Sequence, residues 1–175
     1  DGASPLASAP AGQSLFSATP IAALDIRYPL LARTMGATHV IEPIAQLVYR
    51  DGAAVPGIVN NDSQGFVFDD TNLFSFNRFS GADRQETGLR ANVGSQFQTS
   101  FDNGGWLSGL MGQSFHLAGA NGFNITDGST AGVASGLNAD ASYLVAGLQG
   151  GYGGLAGGAK AQLDPATGDI PRVQL

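Results

Sequence analysis

Between Gln85 and Ser100 the chain reads QETGLRANVGSQFQTS, and its apolar residues fall on every second position. Leu89, Ala91, Val93 and Phe97 take one side; Glu86, Arg90, Asn92, Gln96 and Gln98 take the other. A period of two is the mark of a strand with two unlike faces. The alternation recurs in AALDIRYPLL, where Leu24, Ile26, Tyr28 and Leu30 oppose Asp25 and Arg27, and in HVIEPIAQLVYR, where Ile41, Ala45, Leu47 and Tyr49 oppose Glu42, Gln46 and Arg50. SYLVAGLQG and LAGGAKAQL repeat it with glycine and alanine, setting Leu144, Ala146 and Leu148 against Gln149, and Leu155, Ala159, Ala161 and Leu163 against Lys160 and Gln162. In WLSGLMGQSFHL, Gln113 shares a face with Leu107, Met111, Phe115 and Leu117, which predicts a bulge or a partly covered outer face.

These segments predict strands centred near residues 26, 45, 93, 111, 147 and 159, with a further one beginning near Ile170. Pro29 and Pro43 lie inside two of them and cannot donate to a ladder, so local ladder defects are expected there. The clearest strand is longer than the five or six residues typical of soluble sheets, and it covers the roughly 9–11 tilted residues that cross a bilayer. Apart from the last, the connections alternate: ARTMGA, FDNGG and GYGG are short and 51–84 and 118–140 are long, while DPATGD after them is short again. Short turns at one end and long loops at the other describe an outer-membrane barrel, and a soluble sandwich has no reason for that asymmetry. The fold class expected is all-β, an antiparallel meander of about six or seven long strands belonging to a larger transmembrane barrel. On this reading Val93 faces lipid, where a charge costs about 2–4 kcal/mol near the midplane, and a charge at Asn92 costs little.

Composition sharpens the exclusions. Among 175 residues there are 26 glycines and only 13% charged side chains, an unusual balance for a compact soluble enzyme. The net charge of −6 and the lack of a basic cluster argue against a nucleic-acid partner, because phosphate neutralisation needs a basic face. With no cysteine there is neither a disulfide framework nor a thiolate metal site. No apolar run approaches the roughly 20 residues of a membrane-spanning helix, so any crossing is made by strands. The opening DGASPLASAP carries no charged-then-apolar leader, as expected of a piece whose targeting signal is absent or removed.

One segment obeys neither period. FDDTNLFSFNRFSGADR, residues 68–84, mixes Phe68, Leu73, Phe74, Phe76 and Phe79 with Asp, Asn, Ser and Gly. Large apolar side chains gain about 1.5–3 kcal/mol each on burial, so the loop is expected to fold on itself or tuck into a wide lumen as a plug, with Phe66 among the buried rings. Irregular backbone at membrane depth must be satisfied within protein. Asp69, Asp70, Arg78, Asp83 and Arg84 are the candidates for tying it to lumen-facing Glu42, Gln46, Glu86, Arg90, Asn92 and Gln96. Those charges either hold the loop in its fold or contact a ligand directly.

Other chemistry is thin. Asp62, Asp69 and Asp70 lack the regular spacing of a calcium loop. His39 and Glu42 are three apart on a strand and point to opposite faces, so they cannot ligate one ion. GGYGGLAGG contains a loose GxGxxA, but no helix follows to receive a phosphate, and a hairpin turn explains it. No GxSxG, HExxH or CxxC is present, so neither an enzyme nor a cofactor or metal site is expected.

DIRYPLL, HVIEPIAQLVYRD, NNDSQGFVFDDTNLFSFNRFSGADRQETGLRANVG and GQSFHLAG together resemble the barrel domain of the LPS-assembly outer-membrane proteins, the LptD or organic-solvent-tolerance family. The resemblance runs from about Leu24 to Leu175 and is strongest from His39 to Gly119. It implies a partial barrel domain over 1–175 in the outer membrane of a Gram-negative bacterium, taking part in lipopolysaccharide transport and its insertion into the outer leaflet. It further implies lipopolysaccharide as cargo, a plug lipoprotein and periplasmic bridge proteins as partners, and lateral release through a seam formed by strands outside this piece. Two other readings share features of the sequence. A general porin-like barrel shares the alternation but gives no account of 68–84, and a secreted adhesin or autotransporter passenger predicts internal repeats that the sequence lacks.

Overall fold

A computed structural model of the chain describes residues 20–52, 67–79, 85–124 and 135–175. The strands are β1 (Ile21–Arg27), β2 (Leu30–Thr34), β3 (Ala37–Arg50), β4 (Gly88–Phe101), β5 (Trp106–Ala118), β6 (Leu144–Tyr152), β7 (Leu155–Leu163) and β8 (Arg172–Gln174). They form one antiparallel sheet in the order β1-β3-β4-β5-β6-β7-β8, with β2 also pairing β3. Among the described residues the sheet is not closed. It is an all-β meander in which sequence neighbours are sheet neighbours, as expected of a sector of a barrel wall.

β1 and β2 are one strand in all but hydrogen bonding. The register runs Arg27↔Ile44 on one side of the gap and Leu30↔Ile41 on the other, so no residue is inserted between them. Tyr28 stands opposite Pro43 and donates to its carbonyl at 3.2 Å, but Pro43 has no N–H to return. Both expected proline defects therefore meet at one place, on the seam between β1/β2 and β3. On its other side β3 pairs with β4 without a break through Pro43↔Ser95.

Turn chemistry sorts the ends. Thr34↔Ala37 is closed by Met35-Gly36, and Tyr152↔Leu155 by Gly153 and Gly154, whose φ of 57° and 88° are those of a two-residue primed turn. The β4–β5 turn is held by Gly104 donating to the Phe101 carbonyl at 3.0 Å. In the Asn103-Gly104 pair only the glycine takes a positive φ, while the Asn103 side chain accepts from the Gly105 amide. These tight turns share one end of the sheet. The connections β3–β4, β5–β6 and β7–β8 leave from the other.

Register assigns the two faces. Ile26, Ile41, Leu47, Val93, Met111 and Leu148 lie on one face, all at least 40% exposed. Asp25, Gln46, Asn92 and Ser114 follow one another across the other face from β1 to β5, and Lys160 and Gln162 of β7 share it. The polar face is not purely polar: Ile44, Val48 and Val145 sit on it, fully buried. Gln113 lies on the apolar face as its position requires, and there it donates to the Ser142 carbonyl at 2.7 Å, covered by the segment that leads into β6. A register shift between Leu89 and Arg90 puts a bulge at the same end of β5.

Candidate functional site: a loop strapped across the polar face

Residues 67–79 lie across the polar face. Phe68 sits over β7, where Gln162 donates to its carbonyl. Asp69 and Asp70 each meet the Lys160 ammonium at 3.1 Å. Asp70 then passes over Gly147 of β6, Leu73 over Gly112 of β5, and the Phe74 ring over Gly94 of β4. The Phe74 carbonyl accepts from Gln46 of β3 at 3.1 Å. From there the chain returns over β4, where Arg90 donates to the carbonyls of Ser75 at 2.6 Å and Phe76 at 2.9 Å. Seven residues, Phe68 to Phe74, thus cross the sheet from β7 to β3, and side chains of the sheet satisfy the carbonyls of Phe68, Phe74, Ser75 and Phe76, as backbone without a ladder requires.

The loop is wound locally by its polar residues. Asn72 accepts from the Asp69 amide at 3.1 Å and donates to the Val67 carbonyl at 2.6 Å. Asp69 accepts from the amide of Thr71 at 2.9 Å and from its hydroxyl. Partial burial pushes the Asp69 carboxyl up, but the Thr71 hydroxyl, the Lys160 ammonium and the Thr71 amide outweigh it and hold the group below the usual carboxylate range.

Where the loop rejoins β4, three buried charges meet. Glu86 takes Arg78 in a two-pronged pair, with Nε to Oε2 at 2.8 Å, and also takes Arg90 at 3.0 Å. All three are at most 5% exposed. The Arg78 guanidinium also lies 5.4 Å from the Phe68 ring and 5.8 Å from the Phe123 ring. Beneath the loop an amide chain runs from strand to strand: Asn92 donates to Gln46 at 2.7 Å, Ser114 donates to Asn92 at 2.7 Å, and Gln46 donates to Asp25 at 3.1 Å.

The apolar residues of the loop share a core with the second long connection. Phe68, Leu73 and Phe79 pack with Phe123, Leu137 and Val145, with Phe74 and Leu110 against them. Toward the tight-turn end the polar face opens into a hollow of about 530 Å³, lined in part by Gln96, Gln98, Ser108, Gln149 and Lys160.

The candidate residues are distributed as follows. Asp69, Asp70, Arg78, Phe74 and Phe79 lie in the strap with the contacts above. Phe76 is 50% exposed, because its carbonyl and not its ring is the anchor. Glu42 accepts from Gln96 at 3.0 Å on the polar face, beyond the strap's cover. Asp83 and Arg84, with Phe66 and Asp62, fall outside the described residues. Among the described residues no group of His, Asp and Glu is arranged to hold a metal.

A family model, LPS transport system D, matches residues 3–175, and the strap lies inside that span. The chain belongs to the LptD family. LptD proteins are outer-membrane proteins of Gram-negative bacteria that serve lipopolysaccharide transport and assembly, and they are not an enzyme family. Membership carries lipopolysaccharide binding and membrane association at the level of the family. No curated protein and no solved structure matches the chain.

In this LptD chain the sheet residues that anchor the strap include several that local pattern does not single out. Lys160 and Gln162 read as ordinary polar-face positions, and Gly94, Gly112 and Gly147 as strand glycines. The available signal was the set of apolar residues Ile44, Val48, Leu110 and Val145 on an otherwise polar face, which calls for a cover.

Proposed function

We propose that this chain is a sector of the wall of an LptD barrel, together with a loop that fills part of its lumen, and that the barrel delivers lipopolysaccharide to the outer leaflet. The observation that carries the reading is the family match over residues 3–175. The faces support it. Exposed Leu, Ile, Val and Met on one side suit lipid, and Gln, Asn, Ser and paired charges on the other suit a wet lumen. Residues 1–175 then form part of one barrel domain.

In this reading the sector works passively. The apolar face sits in hydrocarbon, the strap narrows the lumen behind it, and the glutamine-lined hollow leaves polar groups free to hydrogen-bond saccharide hydroxyls. No bond is made or broken, so the energy that drives the lipid outward is supplied by partners on the periplasmic side. A plug lipoprotein and periplasmic bridge proteins are the partners that family membership suggests.

Depletion of the full-length protein in its own Gram-negative host tests this. Newly made lipopolysaccharide should accumulate inside the cell and fall at the surface before any general porin function changes. Normal surface lipopolysaccharide with reduced uptake of small solutes would instead identify a porin.

A further inference from the structure

The strap does more than occupy space. Its anchors fall on β3 (Gln46), β4 (Arg90), β6 (beneath Asp70) and β7 (Lys160 and Gln162), with Leu73 seated on β5. It therefore runs across four successive seams, β3–β4, β4–β5, β5–β6 and β6–β7. Separating any of them requires the strap to stretch or let go on one side. The seams at either margin differ: β7–β8 has three residue pairs, and β1/β2–β3 holds both prolines and the gap at Tyr28–Pro29.

The strap lies this close because the sheet is bare beneath it. A Cβ on Gly147 would collide with the Asp70 carboxylate, one on Gly112 would approach Leu73 Cδ2 to 2.6 Å, and one on Gly94 would come within 3.1 Å of the Phe74 ring. Gly94 and Gly112 are direct cross-strand partners, and Gly147 lies on the next strand over. The three open a trough across the strands, and the strap follows it.

We infer that residues 67–79 act as a transverse brace that holds β3–β7 together as one panel of the barrel wall. The inference rests on the reading of the sheet as a barrel sector, but not on the cargo. Parting any one of these seams would break the strap's contacts on at least one side of it, toward Lys160 or toward Arg90 and Gln46.

The test is hydrogen exchange of backbone amides in the folded full-length protein, compared with Gly147→Val, which puts a β-branched side chain beneath Asp70, and with Asp69→Asn/Lys160→Gln, which removes the ion pair without altering the trough. Protease cleavage within 67–79 reports strap release, and heat-modifiable migration on gels reports that the barrel remains folded. In the released variants, exchange in 107–118 and 144–163 should rise on the order of tenfold, with β1 unchanged. Strap release with unaltered exchange in those strands overturns the brace. So does a strap that neither variant releases, since the trough and the ion pair would then not be what holds it. A failure of the lipopolysaccharide reading would appear in surface export and leave the exchange pattern as predicted.

Discussion

The rings of Phe79 and Phe123 stack with their centroids 4.3 Å apart and their planes 20° from parallel. Phe79 closes the strap, and Phe123 belongs to the next long connection, so two loops from different hairpins share one core. Phe123→Ala should therefore loosen the strap although the substitution lies outside it. Deleting a buried Phe typically costs about 3–5 kcal/mol, and here the loss falls on the loops, because the strand ladders do not use this ring. External protease should cut within 67–79 far faster in this variant, and unchanged cleavage would show that the loops fold independently.

Glu86 is the only carboxylate paired with Arg78 and Arg90 among the described residues. Removing one partner of a buried ionic cluster leaves uncompensated charge, at a cost of about 3–5 kcal/mol. Glu86→Gln should lower the temperature at which the folded barrel loses its compact gel migration, by more than Glu42→Gln, whose site is less buried. Equal shifts in the two variants would mean that the cluster adds nothing beyond a surface pair.

The strands were legible because a wall between lipid and water imposes unlike faces, and Leu89 to Gln98 display that contrast one residue at a time. Pro29 was readable as a break, though not the fact that its gap faces Pro43, since pairing register is a long-range property. The strap's aromatic content announced a need for burial, but its path did not follow from sequence. Gly94, Gly112 and Gly147 belong to three separate strands, and only the register makes them one trough. The same cause revises the expectation for Asn92, which is completely buried and bonded to Gln46 and Ser114 under the strap, so a charge there is not cheap. Gln98, exposed on the same face, is the proper comparison with Val93.

Acid should reach the strap late. The folded-state pKa of Asp69 lies below its ordinary value, so its pairing with Lys160 is fully present above the unfolded pKa of about 3.9 and is lost only as pH falls through the lower folded value. Protease resistance of 67–79 should thus be flat from neutral pH to about 5 and decline below about 4. Asp69→Asn should be less resistant at neutral pH and lose the acid-dependent part. A midpoint above pH 5 would place the sensitive group elsewhere.

Deleting residues 67–79 from the full-length protein should unseal the lumen, making cells sensitive to large hydrophilic antibiotics that the intact outer membrane excludes. Arg84→Ala is expected to have a milder effect of the same kind. Unchanged permeability after the deletion would reduce the strap to a surface loop.

The most direct measurement of the central claim compares Val93 with Gln98, five residues apart on β4 and on opposite faces. A nitroxide is placed at each in turn in the full-length protein in outer-membrane lipid, and its collisions with oxygen, which concentrates in hydrocarbon, are compared with those with a water-soluble nickel chelate. The label at Val93 should meet oxygen and be shielded from nickel, and the label at Gln98 should show the reverse. Nickel access at both positions, or lipid contact at Gln98, would contradict a barrel wall with its strapped face turned to the lumen.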